Sequence, residues 1–212
     1  MRIGLIADVH ADLPGLYCAL ALFERLGVDR VICAGDVVEK GPHGDAVVRA
    51  LRTASIPTVR GNHDHDAIGN QAWLRENADL DHPALRGYLL KDETLEYLRG
   101  LPHPLRFEWE GVSVLLAHGT PWSEFIYLFP TSRRELFERV AREAGSDVVV
   151  LGHTHLPLRA RVNSTWIVNP GSVCGAYSSG SRTCGVLTLP ACEFEVFDLR
   201  SGRPVSRVPF VR

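Results

Sequence analysis

The sequence predicts an α/β fold with a parallel sheet at its centre, on three observations. Three times in the first 64 residues an apolar run passes through a polar loop into a helical pattern, and the polar residues always follow the strand. The stretch from Asp147 to Leu151 is a run of valines that stops at Gly152, as expected of a strand buried on both faces. Beyond Leu158 the pattern changes to short runs that read as antiparallel strands. The carboxyl ends of the parallel strands should therefore form one rim, the edge at which such proteins place their chemistry.

The elements follow in order. Residues 2–7 form the first strand, ending at Asp8-Val9-His10. Asp12 can cap the next helix and Pro14 is tolerated in its first turn. Leu16, Ala19, Leu20, Phe23 and Leu26 recur at helical spacing, and Gly27 closes it. A second strand, 30–34, ends at Gly35-Asp36, and the loop Glu39-Lys40-Gly41-Pro42 leads to a helix over about 44–53. A third strand, 56–60, ends at Gly61-Asn62-His63-Asp64.

Residues 65–104 break this rhythm and read as a short helical insert. One helix is expected over 66–76 and another from Asp92, as its cap, to Arg99, with turns at His82-Pro83 and His103-Pro104. A hairpin over 105–109 and 112–117 ends at His118-Gly119. After a loop carrying Trp122, Phe125, Tyr127 and Phe129, Ser132-Arg133-Arg134-Glu135 has the form of a capping box for a helix to about Ala144. Antiparallel strands are expected over 158–162, 165–168, 185–189 and 193–199, with Asn169-Pro170-Gly171-Ser172 and a Gly/Ser-rich loop between the second and third.

A chain of 212 residues fits one domain with that insert, and 45% hydrophobic with 23% charged residues is ordinary for a soluble protein. A net charge of -2 argues against an extended nucleic-acid partner, and no run is long enough to span a membrane. The N-terminal apolar stretch is too short for a secretory signal, so a cytoplasmic location is expected. The five cysteines are odd in number and lack CxxC spacing, which suits reduced thiols. Cys18 and Cys33 read as small core residues, and no cysteine is expected as a metal ligand. The sequence carries no signal for oligomeric state.

Collected from the strand ends, the polar residues are Asp8, His10, Asp36, Asn62, His63, His118, His153 and His155. Taken singly, Asp8 and Asp36 read as helix caps, Asn62 as a turn residue and His118 as a partner of backbone. Together, carboxylates, imidazoles and an amide oxygen suit a divalent ion such as Mn, Fe, Zn or Ni, with Mn the first choice. One site needs about three or four ligands, so this many donors suggests two ions. Asp36 is the candidate bridge, since each carboxylate oxygen can serve one cation. Two such ions would outweigh the ligand carboxylates and leave a positive site that favours a phosphate ester over a neutral substrate.

The ordered series Asp8-x-His10, Gly35-Asp36, Gly61-Asn62-His63-Asp64, His118-Gly119 and Gly152-His153-x-His155 resembles the calcineurin-like metallophosphoesterase superfamily. The blocks Gly35 to Pro42 and Asn169 to Ser172 are similar to its small bacterial and archaeal phosphodiesterases. The resemblance implies a four-layer α/β/β/α sandwich of two mixed sheets, much of the second sheet coming from the C-terminal strands. It implies one ion on Asp8, His10, Asp36 and His155, and a second on Asp36, Asn62, His118 and His153. His63 matches a histidine that contacts the scissile phosphate and protonates the leaving oxygen, with Asp64 orienting its ring. The implied reaction is in-line attack on phosphorus by a hydroxide held between the ions.

The sequence admits several functions. A phosphodiesterase on a small or nucleotide-like ester leads; a phosphomonoesterase or protein phosphatase and a dinucleoside polyphosphate hydrolase are the alternatives. Protein Ser/Thr phosphatases of the superfamily resemble a GDxVDRG block, and Glu39-Lys40 stands where their Asp-Arg falls, which counts against that reading. A metal-bearing scaffold without turnover is the non-enzymatic alternative, disfavoured because every matching position is filled. His43, His65, His82 and His103 read as surface or turn residues, Arg182 as solvated, and the aromatics of 122–129 as packing residues.

Overall fold

The computed structural model describes residues 1–77, 85, 88–175, 177 and 179–211. The His82-Pro83 turn lies outside them. Ten strands and five helices are found among the described residues. Strands β1 (Arg2–Ile6), β2 (Arg30–Cys33), β8 (Thr183–Thr188) and β9 (Glu193–Asp198) form one sheet in the order β2-β1-β8-β9. The second sheet runs β10-β6-β7-β5-β4-β3, with β3 Leu105–Trp109, β4 Val112–Leu116, β5 Val148–Val150, β6 Pro157–Val162, β7 Thr165–Pro170 and β10 Phe210–Val211. Both sheets are mixed: β1 pairs parallel to β2 but antiparallel to β8, and β5 lies parallel to both β4 and β7 while β3–β4 and β6–β7 are antiparallel.

The side-chain period of two decides the layering. Ile3 and Leu5 of β1 point to an apolar layer shared with Val114, Leu116, Val148 and Val150 of the other sheet. Ile6 points the opposite way, to a layer shared with Leu16, Ala19 and Phe23 of helix α1 (Leu13–Arg25), Val47, Val48 and Leu51 of α2 (Gly44–Thr53), and Leu95 and Leu98 of α4 (Asp92–Arg99). Val149 turns away from its neighbours toward Phe137, Val140 and Ala144 of α5 (Arg134–Ala144). Three apolar layers thus separate four structural ones, an α/β/β/α sandwich. The wholly buried valines of β5 sit between two of those layers, which is why that strand shows no polar alternation.

Several elements differ from the sequence reading. The third strand, 56–60, shortens to a single bridge from Thr58 to Cys33, because Pro57 has no N–H to give to a ladder. Helix α3 begins at Asn62 and runs to Asn77, earlier than 66, so Asn62, His63 and Asp64 form its first turn. Ser132 does not cap α5: its hydroxyl accepts from the Phe129 amide at 2.9 Å, and Arg133 occupies the cap position without a side-chain bond. Asp92 likewise lies inside α4 rather than at its cap and pairs with Arg75 at 2.7 Å. Asp12 does cap α1, accepting from the Gly15 amide at 2.9 Å.

The C-terminal strands divide between the sheets. Strands β6 and β7 join the second sheet, whereas β8 and β9 extend the first beside β1. The crossover is fixed where Val173 donates to the Ala7 carbonyl and the Ser172 hydroxyl to the Asp8 carbonyl, so the chain leaving β7 is led onto β1. All five thiols are free; Cys33 is buried, but Cys18 is exposed on the outer face of α1 rather than in the core.

Candidate metal centre

The strand-end loops converge on one spot, and the backbone bends sharply to do it. Asp8, His10, Asp36, Glu39, Lys40, His153 and His155 all have positive φ, between 47° and 71°. Left-handed backbone is uncommon for residues with a Cβ and gathers at sites where the surrounding structure enforces it. Gly61 is required by close approach, since a Cβ there would lie 2.1 Å from Asp36 Oδ1. That oxygen accepts from the His63 amide at 2.8 Å, so Asp36 sits at the positive N-terminal end of α3.

Two groups of donors form. Asp8, His10, Asp36 and His155 make one, and Asp36, His118 and His153 the other; Asp36 belongs to both. Asn62 adds its Oδ1 to the second group, 3.1 Å from His118 Nε2. The structure therefore brings these seven side chains together, with Asp36 common to both groups. Within them, His10 Nε2 lies 3.0 Å from His155 Nε2, and His118 Nε2 lies 3.1 Å from His153 Nδ1 and 3.3 Å from Asp36 Oδ2.

The His118 geometry tests whether a cation fits. Its Nδ1 donates to the Ala34 carbonyl at 2.6 Å, which leaves a lone pair on Nε2 in the neutral ring. That lone pair faces an amide oxygen, a carboxylate oxygen and another imidazole nitrogen. Such a crowd of acceptors is unfavourable without a positive charge at its centre, either a proton or a metal ion. The electrostatics agree. Burial lowers His118, but the carboxylates of Asp36 and Asp8 outweigh it and raise the group to about 9. Burial pushes His10 down to about 2, His153 to about 3 and His155 to about 4, so these rings stay neutral, the form that binds metals. Asp8 is raised to about 8 by burial and by the charge of Asp36. Asp36, though burial opposes it, is held well below the usual carboxylate range by His118 and His10.

His63 stands beside the first group, its ring edge-on to His10 with centroids 4.9 Å apart. The partner of its Nδ1 is Glu39 Oε2, at 2.7 Å, and not Asp64. Asp64 is wholly buried and accepts instead from the amides of Val37, Val38 and Gly61, bracing the Asp36 loop against α3. Its position in the first helical turn directs it to the amide just before the helix, one half of a capping box. Burial lowers His63, but the Glu39 bond and the charge of Asp36 outweigh it and raise the group. Lys40 follows, with Nζ 3.3 Å from His10 Nε2. Glu39 and Lys40 were the signal that sequence reasoning passed over. As a departure from the phosphatase block they carry no role in the sequence, yet the fold sets the carboxylate on His63 and the ammonium beside His10.

Over these groups opens a cavity of ≈190 Å³, lined in part by Lys40, His63, Tyr127 and Ser179. Tyr127 stacks on His153 with centroids 3.6 Å apart, so it is a wall of the site rather than a packing residue. Trp122 does pack, against the α5 layer with Arg139 over its ring. The aliphatic part of the Arg182 side chain lies against Gly175, and His103 Nε2 donates to the Thr120 carbonyl at 3.0 Å. His65 is half-exposed, 3.6 Å from Glu124.

A sandwich of two mixed sheets whose strand-end loops present two linked donor groups defines a metal-dependent phosphoesterase scaffold. Residues 1–191 match the model of the calcineurin-like phosphoesterase superfamily domain, and the chain belongs to that family. It is 24% identical over 196 residues to "Phosphodiesterase MJ0936" of Methanocaldococcus jannaschii, covering 92% of this chain and 96% of the relative. It is 26% identical over 192 residues to "Phosphodiesterase YfcE" of Escherichia coli K12, covering 88% and 87%. The crystal structure of a metallophosphoesterase from Sphaerobacter thermophilus superposes with a TM-score of 0.68 at 26% identity, covering 92% of this chain and 86% of that one. The chain is thus an enzyme of the phosphoric ester hydrolase class.

Proposed function

We propose that this chain hydrolyses a small or nucleotide-like phosphodiester with two divalent ions, one on Asp8, His10, Asp36 and His155, the other on Asp36, Asn62, His118 and His153. The observation that carries the reading is that Asp36 belongs to both donor groups. Ions held there supply Lewis acidity and a bound water that ionises near neutral pH. The chain's own groups do the rest. Lys40 faces the cavity, where its ammonium can contact a phosphate oxygen. His63, fixed through Nδ1 by Glu39, keeps Nε2 for the substrate, where it can give a proton to the leaving oxygen.

One panel tests this: bis(p-nitrophenyl) phosphate, p-nitrophenyl phosphate, cyclic nucleotides and dinucleoside polyphosphates, each with Mn, Fe, Zn and Ni. Diester turnover that exceeds monoester turnover and is lost to a chelator is expected; no diester turnover with any of these ions would overturn the reading. The alternative reading is a phosphomonoesterase or protein phosphatase. It would show as monoester turnover exceeding diester turnover in the same panel.

A further inference from the structure

The cavity above the donor groups, at ≈190 Å³, is smaller than the about 300–1,000 Å³ of sites that enclose a whole ligand. It has room for a phosphoryl group and little more, so the rest of an ester must lie on the rim. The rim is not uniform. Beside the first donor group stand His63, Glu39 and Lys40, all polar. Beside the second stands a ladder of rings: Tyr127 on His153 at 3.6 Å and 23°, and Phe129 parallel to Tyr127 at 5.3 Å and 5°. Tyr127 is 48% exposed and Phe129 38%, although buried Leu128 between them anchors the loop in the α5 layer. Two large parallel rings, both partly open to solvent and the first of them lining the polar cavity, form a stacking platform.

We propose that this platform binds an aromatic ring on the ester group that stays attached to phosphorus, making Tyr127 and Phe129 specificity-determining residues. The assignment to the retained group follows from placement. His63 protonates the departing oxygen on the side of the first donor group, whereas the rings stand over His153 in the second. The inference rests on the phosphodiester reading for the leaving side only; the ring chemistry stands on the stack itself. A planar aryl group or nucleobase satisfies it, and an aliphatic chain does not, because parallel rings reward flat π-faces over bulk.

Two measurements test it. The first compares phenyl and cyclohexyl esters of p-nitrophenyl phosphate, which share a leaving group and differ in planarity. The second is calorimetric binding of the corresponding retained products, phenyl phosphate, cyclohexyl phosphate and AMP, and needs no turnover. A phenyl-over-cyclohexyl preference of about fivefold or more is expected in both. It should fall to near unity in Tyr127→Ala and Phe129→Ala, and survive in Tyr127→Phe, which keeps the ring. AMP tighter than phenyl phosphate marks a nucleobase, and AMP weaker marks a small aryl group; both support the platform. Equal phenyl and cyclohexyl values, or a cyclohexyl preference, overturn it even if diesters are turned over. Failure of all diester turnover with a preserved phenyl preference in binding would instead overturn the phosphodiester reading and leave the platform standing.

Discussion

The floor of the site and its rim are built on opposite terms. The floor consists of Asp8, His10, Asp36, His118 and His153, buried and held by bent strand-end loops. Each of these side chains is tied to backbone or to another floor residue, so moving one disturbs the rest. The rim is made of Lys40, His63 and Tyr127, which line the cavity, with Glu39 and Phe129 behind them, and it is held by a few side-chain contacts such as the 2.7 Å bond from His63 to Glu39. Floor residues should therefore govern whether ions are held, and rim residues what is done with them.

Substitutions can break that division. The largest effect is expected for Asp36→Asn, which removes the shared carboxylate: divalent metal should be lost by elemental analysis and turnover should fall on the order of a thousandfold or more. Retention of both ions would contradict a shared floor. His63→Ala should cost about 10²- to 10⁴-fold in kcat with metal content unchanged, as removal of a proton donor does. Parent-like diester turnover in that variant would rule out the acid role.

The pair Glu39→Gln and Asp64→Ala sharpens the line between the two regions. Glu39→Gln should lower kcat about 10- to 100-fold while leaving the urea midpoint in place, because the carboxylate only holds His63. Asp64→Ala leaves three buried amides without their acceptor and should cost at least ~2 kcal/mol of stability by urea denaturation. If the two variants exchanged effects, Asp64 rather than Glu39 would be acting on His63.

The smallest effect lies far from the site, where Asp147 ties β4 to the start of β5. The hydroxyl and amide of Ser113 donate to its carboxylate at 2.6 and 2.9 Å and lower its pKa below the ordinary 3.8. A depressed folded value means the stabilisation is present above about pH 4 and is lost as pH falls through the folded pKa. Asp147→Asn should thus lower stability at pH 7 by less than about 1 kcal/mol, the site being exposed, and the difference from the parent should shrink on acidification.

The same contrast explains what could be read from the chain. Floor residues sit directly after apolar runs, so Asp36, His118 and the His153–His155 pair were visible as interruptions of strand patterns. Strand β5 was legible for the same reason. The assignment of β8 and β9 to the first sheet was not, because it depends on Ser172 and Val173 docking on Asp8 and Ala7, a contact across more than 160 residues. The resemblance gives the ring of His63 to Asp64, whereas helix α3 starts early enough to turn Asp64 toward the backbone and leave the ring to Glu39, 24 positions upstream. Tyr127 carried no periodic signal at all; only the fold lays its loop over His153.

The central claim is that Asp36 joins two ion-binding groups into one centre. Anomalous diffraction from crystals grown with manganese tests it most directly. Two peaks are predicted, one among Asp8, His10 and His155 and the other among Asn62, His118 and His153, with Asp36 in contact with both. Peaks elsewhere, or ions with no contact to Asp36, would contradict it.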